Sequence, residues 1–326
     1  MSPVTLAKST LSDHGSAQTA LPRAPPLVTI TDPVCIFDRA LLARRRRRVA
    51  NAATDHDFLL VRVAEDLAER LAIVRRDFPL AANIGAHHGL VSRGIRGLAG
   101  VERIIDVDTT ALLLRGASDL RVVADEEALP FADASLDLVV SGLSLQLVND
   151  LPGALVQIRR ALKPDGLLLA SLLGGSTLKE LREAWIVAEA EISGGASPRV
   201  APFADVRDMG TLLQRAGFAL PVVDSETVVV TYSSPLAVMQ EIKAMGASNM
   251  LAARRRIPVT GRLLLRAMEI YTDRFAGADG RVPATFEIVT LTAWAPDESQ
   301  PKPLRPGSAQ SRLADALGVN ERKLPE

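Results

Sequence analysis

Three short segments of the chain contain residues suited to binding a ligand. A turn with the sequence Asn-Ile-Gly-Ala-His-His-Gly occupies residues 83–89, Asp106 follows about twenty residues later, and Asp125 comes after it. A glycine turn lets a ligand approach the backbone, and a carboxylate at a strand end can accept both hydroxyls of a ribose. An oxygen at the next strand end can accept a hydrogen bond from an adenine amino group. The three segments together suit a nucleoside ligand.

Two other chemistries are disfavoured by the same residues. The chain has no G-x-x-x-x-G-K-[ST] sequence and its turn lacks a full G-x-G-x-x-G, so we expect no phosphate loop. His87 and His88 are adjacent, and neighbouring side chains at a helix start diverge by about 100°. With one cysteine, Cys35, and four histidines in the chain, we expect no metal site and no internal disulfide. No side chain stands out as a general base, so the catalytic residue stays unassigned.

An alternation of short apolar runs with helical patterns must position these segments. Such alternation predicts an α/β fold with a parallel sheet and helices on both faces. Ligands then bind at the carboxyl ends of the strands, where the three segments fall. Strands are predicted near residues 80–84, 101–107, 119–124, 136–141, 167–172, 221–230 and 285–294.

The chain divides into three predicted parts. Residues 1–31 form a disordered tail, although their Ser, Thr and Ala content also fits a transit peptide. Residues 32–296 form one domain with a helical insertion at about 232–284, and residues 297–326 form a Pro-rich tail. No apolar run approaches the length of a membrane span.

The net charge and the aromatic content of the chain indicate which classes of binding partner to expect. The 38 basic and 38 acidic residues cancel, and aromatics make up only 4% of the chain, which together argue against a nucleic-acid partner. One run of five arginines stands out: Arg44, Arg45, Arg46, Arg47 and Arg48. It is either a solvated helix face or a contact with an acidic partner or with lipid headgroups.

Longer motifs resemble those of class I S-adenosylmethionine-dependent methyltransferases over about residues 58–294. Within that family, the chain is similar to the methyltransferase-like assembly factors of respiratory complex I nearly end to end. The malonyl carrier protein methyltransferases of biotin synthesis are the next relatives. The motifs are Ile-Phe-Asp-Arg at 36–39, Ala-Asp-Glu-Glu-Ala-Leu-Pro-Phe at 124–131, Leu-Lys-Pro-Asp-Gly at 162–166, Met-Gly-Ala-Ser-Asn at 245–249, Val-Pro-Ala-Thr at 282–285 and Gly-Ser-Ala at 307–309.

The resemblance implies a Rossmann-like fold with a seven-stranded, mostly parallel sheet, an antiparallel last strand and the helical insertion before that strand. It also implies S-adenosylmethionine as cofactor. The cofactor-binding residues would be Gly85, Ala86, His87, Gly89, Asp106, Asp125, Glu126 and Ser141.

The resemblance implies a protein substrate as well. That substrate would be an iron–sulfur subunit of respiratory complex I, hydroxylated on an arginine. Methyl transfer to a carboxyl group, such as that of malonyl carrier protein, and a non-catalytic assembly chaperone are the alternatives. The expected location is the cytoplasm in a bacterium, peripherally at the inner membrane, or the matrix side in a eukaryote.

The chain departs from the family pattern at its turn and in one loop. The family turn is Asp-Leu-Gly-Cys-Gly-x-Gly, whereas Asn83 and His87 replace its acid and its middle glycine here. We expect the lost carboxylate to remove a partner for the cofactor amine. The imidazole would either crowd the methionine moiety or hydrogen-bond its carboxylate. Gln146-Leu147 stands where relatives often have His-Trp or Gln-Trp.

Overall fold

A computed structural model describes residues 35–301, except residues 117, 119 and 204, together with Gly318. The tail predicted for residues 1–31 and nearly all of that predicted for 297–326 lie outside the described residues. Within the described residues, no helix combines the length and apolarity needed to cross a membrane.

Seven strands form a single sheet, as the sequence predicts. They are β1 (Leu80–Ile84), β2 (Arg103–Asp108), β3 (Leu120–Val123), β4 (Leu136–Gly142), β5 (Leu162–Leu173), β6 (Ala219–Tyr232) and β7 (Val282–Trp294). Their order is β3-β2-β1-β4-β5-β7-β6, and β7 runs antiparallel to both of its neighbours. The order reverses between β1 and β4, so this is the switch point at which ligands of α/β sheets bind.

Eight α-helices accompany the strands in the described residues. They are α1 (Arg39–Val49), α2 (Phe58–Ala72), α3 (Leu90–Ile95), α4 (Leu151–Ala161), α5 (Lys179–Ser193), α6 (Val206–Arg215), α7 (Pro235–Ala244) and α8 (Gly261–Phe275). Five of them begin after a residue whose side-chain oxygen accepts a hydrogen bond from a first-turn N–H, which stabilises each helix start. Those residues are Asp38, Asp150, Asp205, Ser234 and Thr260.

Two layers of helices cover the sheet. Leu155 of α4 and Leu213 of α6 pack with the residues of one sheet face, and Leu67 of α2 and Ile95 of α3 pack with those of the other. Because the central strands are buried on both faces, they are continuous apolar runs rather than alternating ones. A further cluster joins α5, α7 and α8 to the outer part of β7.

Three parts of the described chain are irregular. After β2 the chain forms only a 3-10 turn, Leu113–Gly116. The predicted helical insertion contains α7 and α8 with a non-helical segment between them, where Gly246 has φ +75° and Pro258 cannot continue a helix. Residues 163–166 lie inside β5, where the pairing with β4 jumps from Leu162 to Leu167.

Candidate active site at the strand ends

The turn between β1 and α3 is held close to the neighbouring strands. Gly85 has φ +67° and Gly89 has φ +76°, a region of backbone space that glycine adopts without strain. The N–H of Ala86 donates to the carbonyl oxygen of Val107 at 2.9 Å, which fixes the turn against β2. A Cβ at Gly85 would collide with the side chain of Ser144, so the turn requires glycine there.

Asp106 lies in a buried polar cluster beneath the turn, not in the site. Its side chain is fully buried, and its register partner on β1 is Asn83. The Asp106 carboxylate accepts hydrogen bonds from Asn83 Nδ2 at 3.1 Å, from the Ser118 N–H at 2.6 Å and from the Ser92 hydroxyl. The prediction that Asp106 binds ribose hydroxyls is corrected, because Asp106 lies two positions before the end of β2 and both of its oxygens are held by donors beneath the turn.

Ser141 also points away from a ligand. It is fully buried on β4, and its hydroxyl donates to the carbonyl oxygen of Ile84 at 2.8 Å. Its predicted cofactor contact is corrected as well, because the hydroxyl links two central strands.

Asp108, the last residue of β2, occupies the strand end that was predicted for Asp106. Its Oδ2 accepts from the His87 N–H at 3.1 Å and its Oδ1 from the Thr110 N–H at 2.8 Å. Burial raises the pKa of Asp108, and the charge of Arg46 opposes that rise. Asp108 is thus the carboxylate that β2 presents to the glycine turn.

Asp125 and Glu126 lie after β3 and are both held by Arg39 from α1. Nη2 of Arg39 donates to Asp125 Oδ1 at 2.7 Å and also to Glu126 Oε2. Asp125 closes its own turn by accepting from the Glu127 N–H at 2.9 Å. Its side chain is 39% exposed, whereas that of Glu126 is fully buried.

Arg46 is the second arginine of α1 that enters the site. Its Nη1 lies 3.3 Å from Glu126 Oε1 and 3.8 Å from Asp108 Oδ2, and its Nη2 donates to the Ser144 hydroxyl at 3.2 Å. Ser144 in turn donates to Glu126 at 2.6 Å. Although burial opposes ionisation of Glu126, the charges of Arg46 and Arg39 lower the pKa of this carboxyl to about 2. We call Arg39, Arg46, Asp108, Asp125 and Glu126 the ion cluster.

The five arginines of residues 44–48 therefore divide into three groups. Arg46 is only 4% exposed and belongs to the ion cluster. Arg45 donates to two carbonyl oxygens of the loop that follows α7. The remaining three, Arg44, Arg47 and Arg48, are exposed. The sequence left open a solvated helix face or a contact with an acidic partner or lipid headgroups, and only the three exposed arginines are placed for either, because the helical period turns Arg46 inward.

His87 and His88 have separate surroundings. Burial, reinforced by the charge of Arg46, lowers the pKa of His87 to about 3, so its imidazole is neutral near pH 7. His87 Nε2 is buried without a hydrogen-bond partner. His88 Nε2 lies 3.0 Å from Asp57 Oδ2, but neither of its ring nitrogens has an aligned hydrogen-bond partner. Among the described residues, no three His, Cys, Asp or Glu side chains are grouped to hold a metal ion.

A cavity of about 350 Å³ adjoins the ion cluster. Arg46, His87 and Gln146 line it on the strand side, and the Oε1 atom of Gln146 is buried without a partner. Met245 and Phe286 are among the apolar residues that complete its walls from the insertion and from β7. A site of this size and composition suits a small organic ligand or an inserted side chain.

Sequence reasoning missed several of these residues, and two signals could have found them. Asp108 is two positions after Asp106 and therefore on the same face of β2, but nearer the strand end. Arg39 and Arg46 are seven positions apart, which places both on the helix face that carries the buried Leu42. No sequence signal indicated Ser144, because its role depends on the packing of the loop after β4 against the glycine turn.

Comparisons with known proteins agree with this geometry. Residues 82–170 match the family described as Methyltransferase domain. Over 294 residues the chain is 40% identical to the arginine-hydroxylase NDUFAF5, mitochondrial, of Danio rerio, covering 88% of this chain and 91% of that protein. The chain belongs to the class I S-adenosylmethionine-dependent methyltransferase family.

A second relative and a solved structure help to place the chain. It is 39% identical over 240 residues to the malonyl-[acyl-carrier protein] O-methyltransferase of Halorhodospira halophila, covering 71% of this chain and 79% of that protein. The crystal structure of a proposed methyltransferase of Bacillus halodurans superposes with a TM-score of 0.51 at 17% identity, covering 71% of this chain and 99% of that one. The predicted Rossmann-like class I fold is confirmed.

The residues present fit the family's cofactor. Asp108 ends β2 where a ribose would lie, next to a glycine turn that brings the backbone close. Nε2 of His87 and Oε1 of Gln146 are buried without partners in the cavity wall, so a polar ligand would satisfy them. Arg46, at 3.8 Å from Asp108, must share that carboxylate with the ligand or move aside.

Proposed function

We propose that this protein binds S-adenosylmethionine and modifies an arginine side chain of a protein related to respiratory complex I. The observation that carries the proposal is the match to a relative named arginine-hydroxylase over 88% of this chain and 91% of that protein. The finer proposal is that the substrate is an iron–sulfur subunit of complex I. We place the protein at the matrix side in a eukaryote, or in the cytoplasm and peripherally at the inner membrane in a bacterium.

The binding roles follow from the geometry of the strand ends. Asp108 would accept the ribose hydroxyls, and the backbone of residues 85–89 would approach the ligand. Asp125, which is partly exposed, would accept from an adenine amino group while keeping its bond to Arg39. When bound, the cofactor supplies an activated sulfonium. The neutral imidazole of His87 can donate or accept a hydrogen bond inside the cavity without adding charge.

The cavity would hold the acceptor side chain. A side chain inserted between its apolar walls would displace water, which would strengthen the electrostatic contacts made inside it. The walls also restrict the orientation of an inserted side chain relative to the turn, and such positioning is a large part of catalysis for group transfer.

Methyl transfer to a carboxyl group is the second candidate function. The match to the Halorhodospira halophila carrier-protein methyltransferase favours it, although that match covers less of this chain than the match to the arginine-hydroxylase. Carboxyl methylation needs no general base.

A non-catalytic assembly chaperone is the third candidate. The ion cluster favours it, because Arg39 and Arg46 already neutralise the carboxylates at the ends of β2 and β3. The proposed enzyme must bind its cofactor in spite of these ion pairs.

Mass analysis of the partner subunit tests the proposal. The iron–sulfur subunit is purified from cells with and without this protein, and peptides that contain arginine are compared. The proposal predicts one added oxygen atom on an arginine only when the protein is present. Because hydroxylation is a two-electron oxidation, it also needs an oxidant such as O2 together with a reductant, both of which the cells supply. An added methyl group on a carrier-protein carboxyl supports the second candidate. Unmodified arginine in both samples, with no binding of S-adenosylmethionine by calorimetry, supports the chaperone.

A further inference from the structure

The charged side chains that line the cavity differ in whether they form an ion pair. In the described part of the lining they are Arg46, Arg199 and Asp57. Arg46 is held by Glu126 in the ion cluster. Arg199 is held by Glu189 and lies 4.2 Å from the centre of the Trp185 ring. Asp57 is the only acid among these lining residues, and it pairs with neither arginine.

Asp57 precedes α2 at the position where an aspartate normally caps a helix. Its backbone carbonyl accepts from the Val61 N–H at 2.8 Å, but its side chain accepts no capping hydrogen bond. An Asp cap is typically worth about 1 kcal/mol to a helix. The carboxylate is directed into the cavity wall instead, with its side chain 19% exposed.

His88 does not neutralise this carboxylate. Its residue is only 8% exposed, and its Nε2 lies 3.0 Å from Asp57 Oδ2 without hydrogen-bond alignment. Burial lowers the pKa of His88, so the ring is neutral near pH 7. Within the described residues, the Asp57 carboxylate therefore has a neutral imidazole beside it and no arginine or lysine ion pair, on one side of a mostly apolar cavity. A carboxylate in such surroundings is stabilised by a cation and its hydrogen bonds.

We propose that Asp57 binds the guanidinium of the substrate arginine and so selects a cationic side chain as the acceptor. This inference rests on the proposed function and assigns a specificity residue to it. A planar guanidinium matches a carboxylate with two parallel hydrogen bonds. The three methylenes of an arginine suit the apolar walls formed by Leu59, Met245 and Phe286.

The same carboxylate would act against the alternative acceptor. A malonyl carboxylate placed in the cavity would meet Asp57 as a like charge, and like charges in a site of low polarity repel strongly. The position of Asp57 thus distinguishes an arginine-modifying enzyme from a carboxyl methyltransferase.

Ligand binding to the full-length protein tests this assignment. The probes are N-acetyl-L-arginine amide and its neutral analogue N-acetyl-L-citrulline amide, titrated with and without S-adenosylhomocysteine. The readout is the indole N–H resonance of Trp185, which lines the cavity, assigned with a Trp185→Phe variant. Wild type is compared with Asp57→Asn, Asp57→Glu and the matched control Asp55→Asn, because Asp55 is exposed in the same segment.

We expect wild type and Asp55→Asn to bind the arginine amide more tightly than the citrulline amide. Asp57→Asn should weaken the arginine amide by about tenfold or more and abolish the preference, because it removes a charge-assisted contact. Asp57→Glu should restore part of the preference, which a purely structural role would not do.

The assignment is overturned if wild type shows no preference for the arginine amide at millimolar concentration. It is also overturned if Asp57→Asn retains the preference or if Asp55→Asn loses it equally. The proposed function is contradicted by different results: no binding of S-adenosylmethionine in calorimetry, or an unmodified arginine in the partner subunit. Neither result depends on these probes.

Discussion

Asp106 and Asp108 lie two residues apart on β2 and are both fully buried, yet their partners differ. Asp106 is held by three neutral donors, the Asn83 amide, the Ser92 hydroxyl and the Ser118 N–H. Asp108 accepts two backbone N–H groups and lies 3.8 Å from Arg46, next to a cavity. The first carboxylate belongs to the packed interior, and the second has a neighbour that a ligand can replace.

The contrast shows what makes a carboxylate available to a ligand. The partners of Asp106 are neutral donors whose positions are fixed by β1, α3 and the chain before β3. The charged neighbour of Asp108 is Arg46, a long side chain from a helix outside the sheet, which can move aside for a ligand. The contrast also explains the substituted turn. An aspartate at position 83 would oppose Asp106 in register, so an amide that donates is required there.

The largest expected effect comes from restoring the family's acid at position 83. Asn83→Asp would place two carboxylates side by side in a fully buried cluster, and we expect it to lower the free energy of unfolding by about 3–5 kcal/mol at pH 7. Urea unfolding followed by circular dichroism measures this loss.

The double variant Asn83→Asp/Asp106→Asn is the control for that experiment. It restores one acid and one amide, so most of the lost stability should return. If Asn83→Asp alone has the same free energy of unfolding as wild type, the buried Asp106 carboxylate does not need an amide donor at position 83.

Removing one arginine from the ion cluster should have the next largest effect. Arg46→Gln leaves the buried Glu126 with one cation fewer, and we expect a loss of about 3 kcal/mol in the free energy of unfolding. Arg47→Gln is the matched control, because Arg47 is exposed in the same run and should change stability by about 0.5 kcal/mol or less. Equal losses in the two variants would contradict an inward role for Arg46.

A smaller effect should appear as a pH dependence from His87. Its pKa is about 3 in the folded protein, below the value of 6.5 for an ordinary histidine. The folded state therefore binds fewer protons, and stability is lost as the pH falls below about 6.5. Between pH 7 and pH 5 we expect wild type to lose about 2 kcal/mol through this group.

His87→Gln isolates that contribution. Glutamine does not titrate. Between pH 7 and pH 5 the variant should therefore lose about 2 kcal/mol less unfolding free energy than wild type does. Parallel stability profiles for the two proteins would show that the His87 imidazole is not held neutral in the folded state.

The fold was predictable because its signals are local. Apolar runs with the length of strands, separated by helical patterns, predicted the sheet. They also placed the glycine turn and Asp125 at the ends of strands. The sequence pattern did not separate Asp106 from Asp108, because both share one face of β2 and the exact end of a strand, which decides which residue reaches the site, is poorly defined by sequence. The inward turn of Arg46 and the position of Asp57 in the cavity wall depend on contacts between distant segments, so residue type alone did not reveal them.

Calorimetry with S-adenosylmethionine tests most directly whether Asp108, and not Asp106, serves the cofactor. We predict that wild type binds and that Asp108→Asn weakens binding by about tenfold or more, because it removes a charged acceptor for ribose hydroxyls. Asp106→Asn should retain the wild-type affinity in its folded fraction but unfold at lower urea. The account is contradicted if wild type does not bind S-adenosylmethionine, if Asp108→Asn binds like wild type, or if folded Asp106→Asn loses affinity instead.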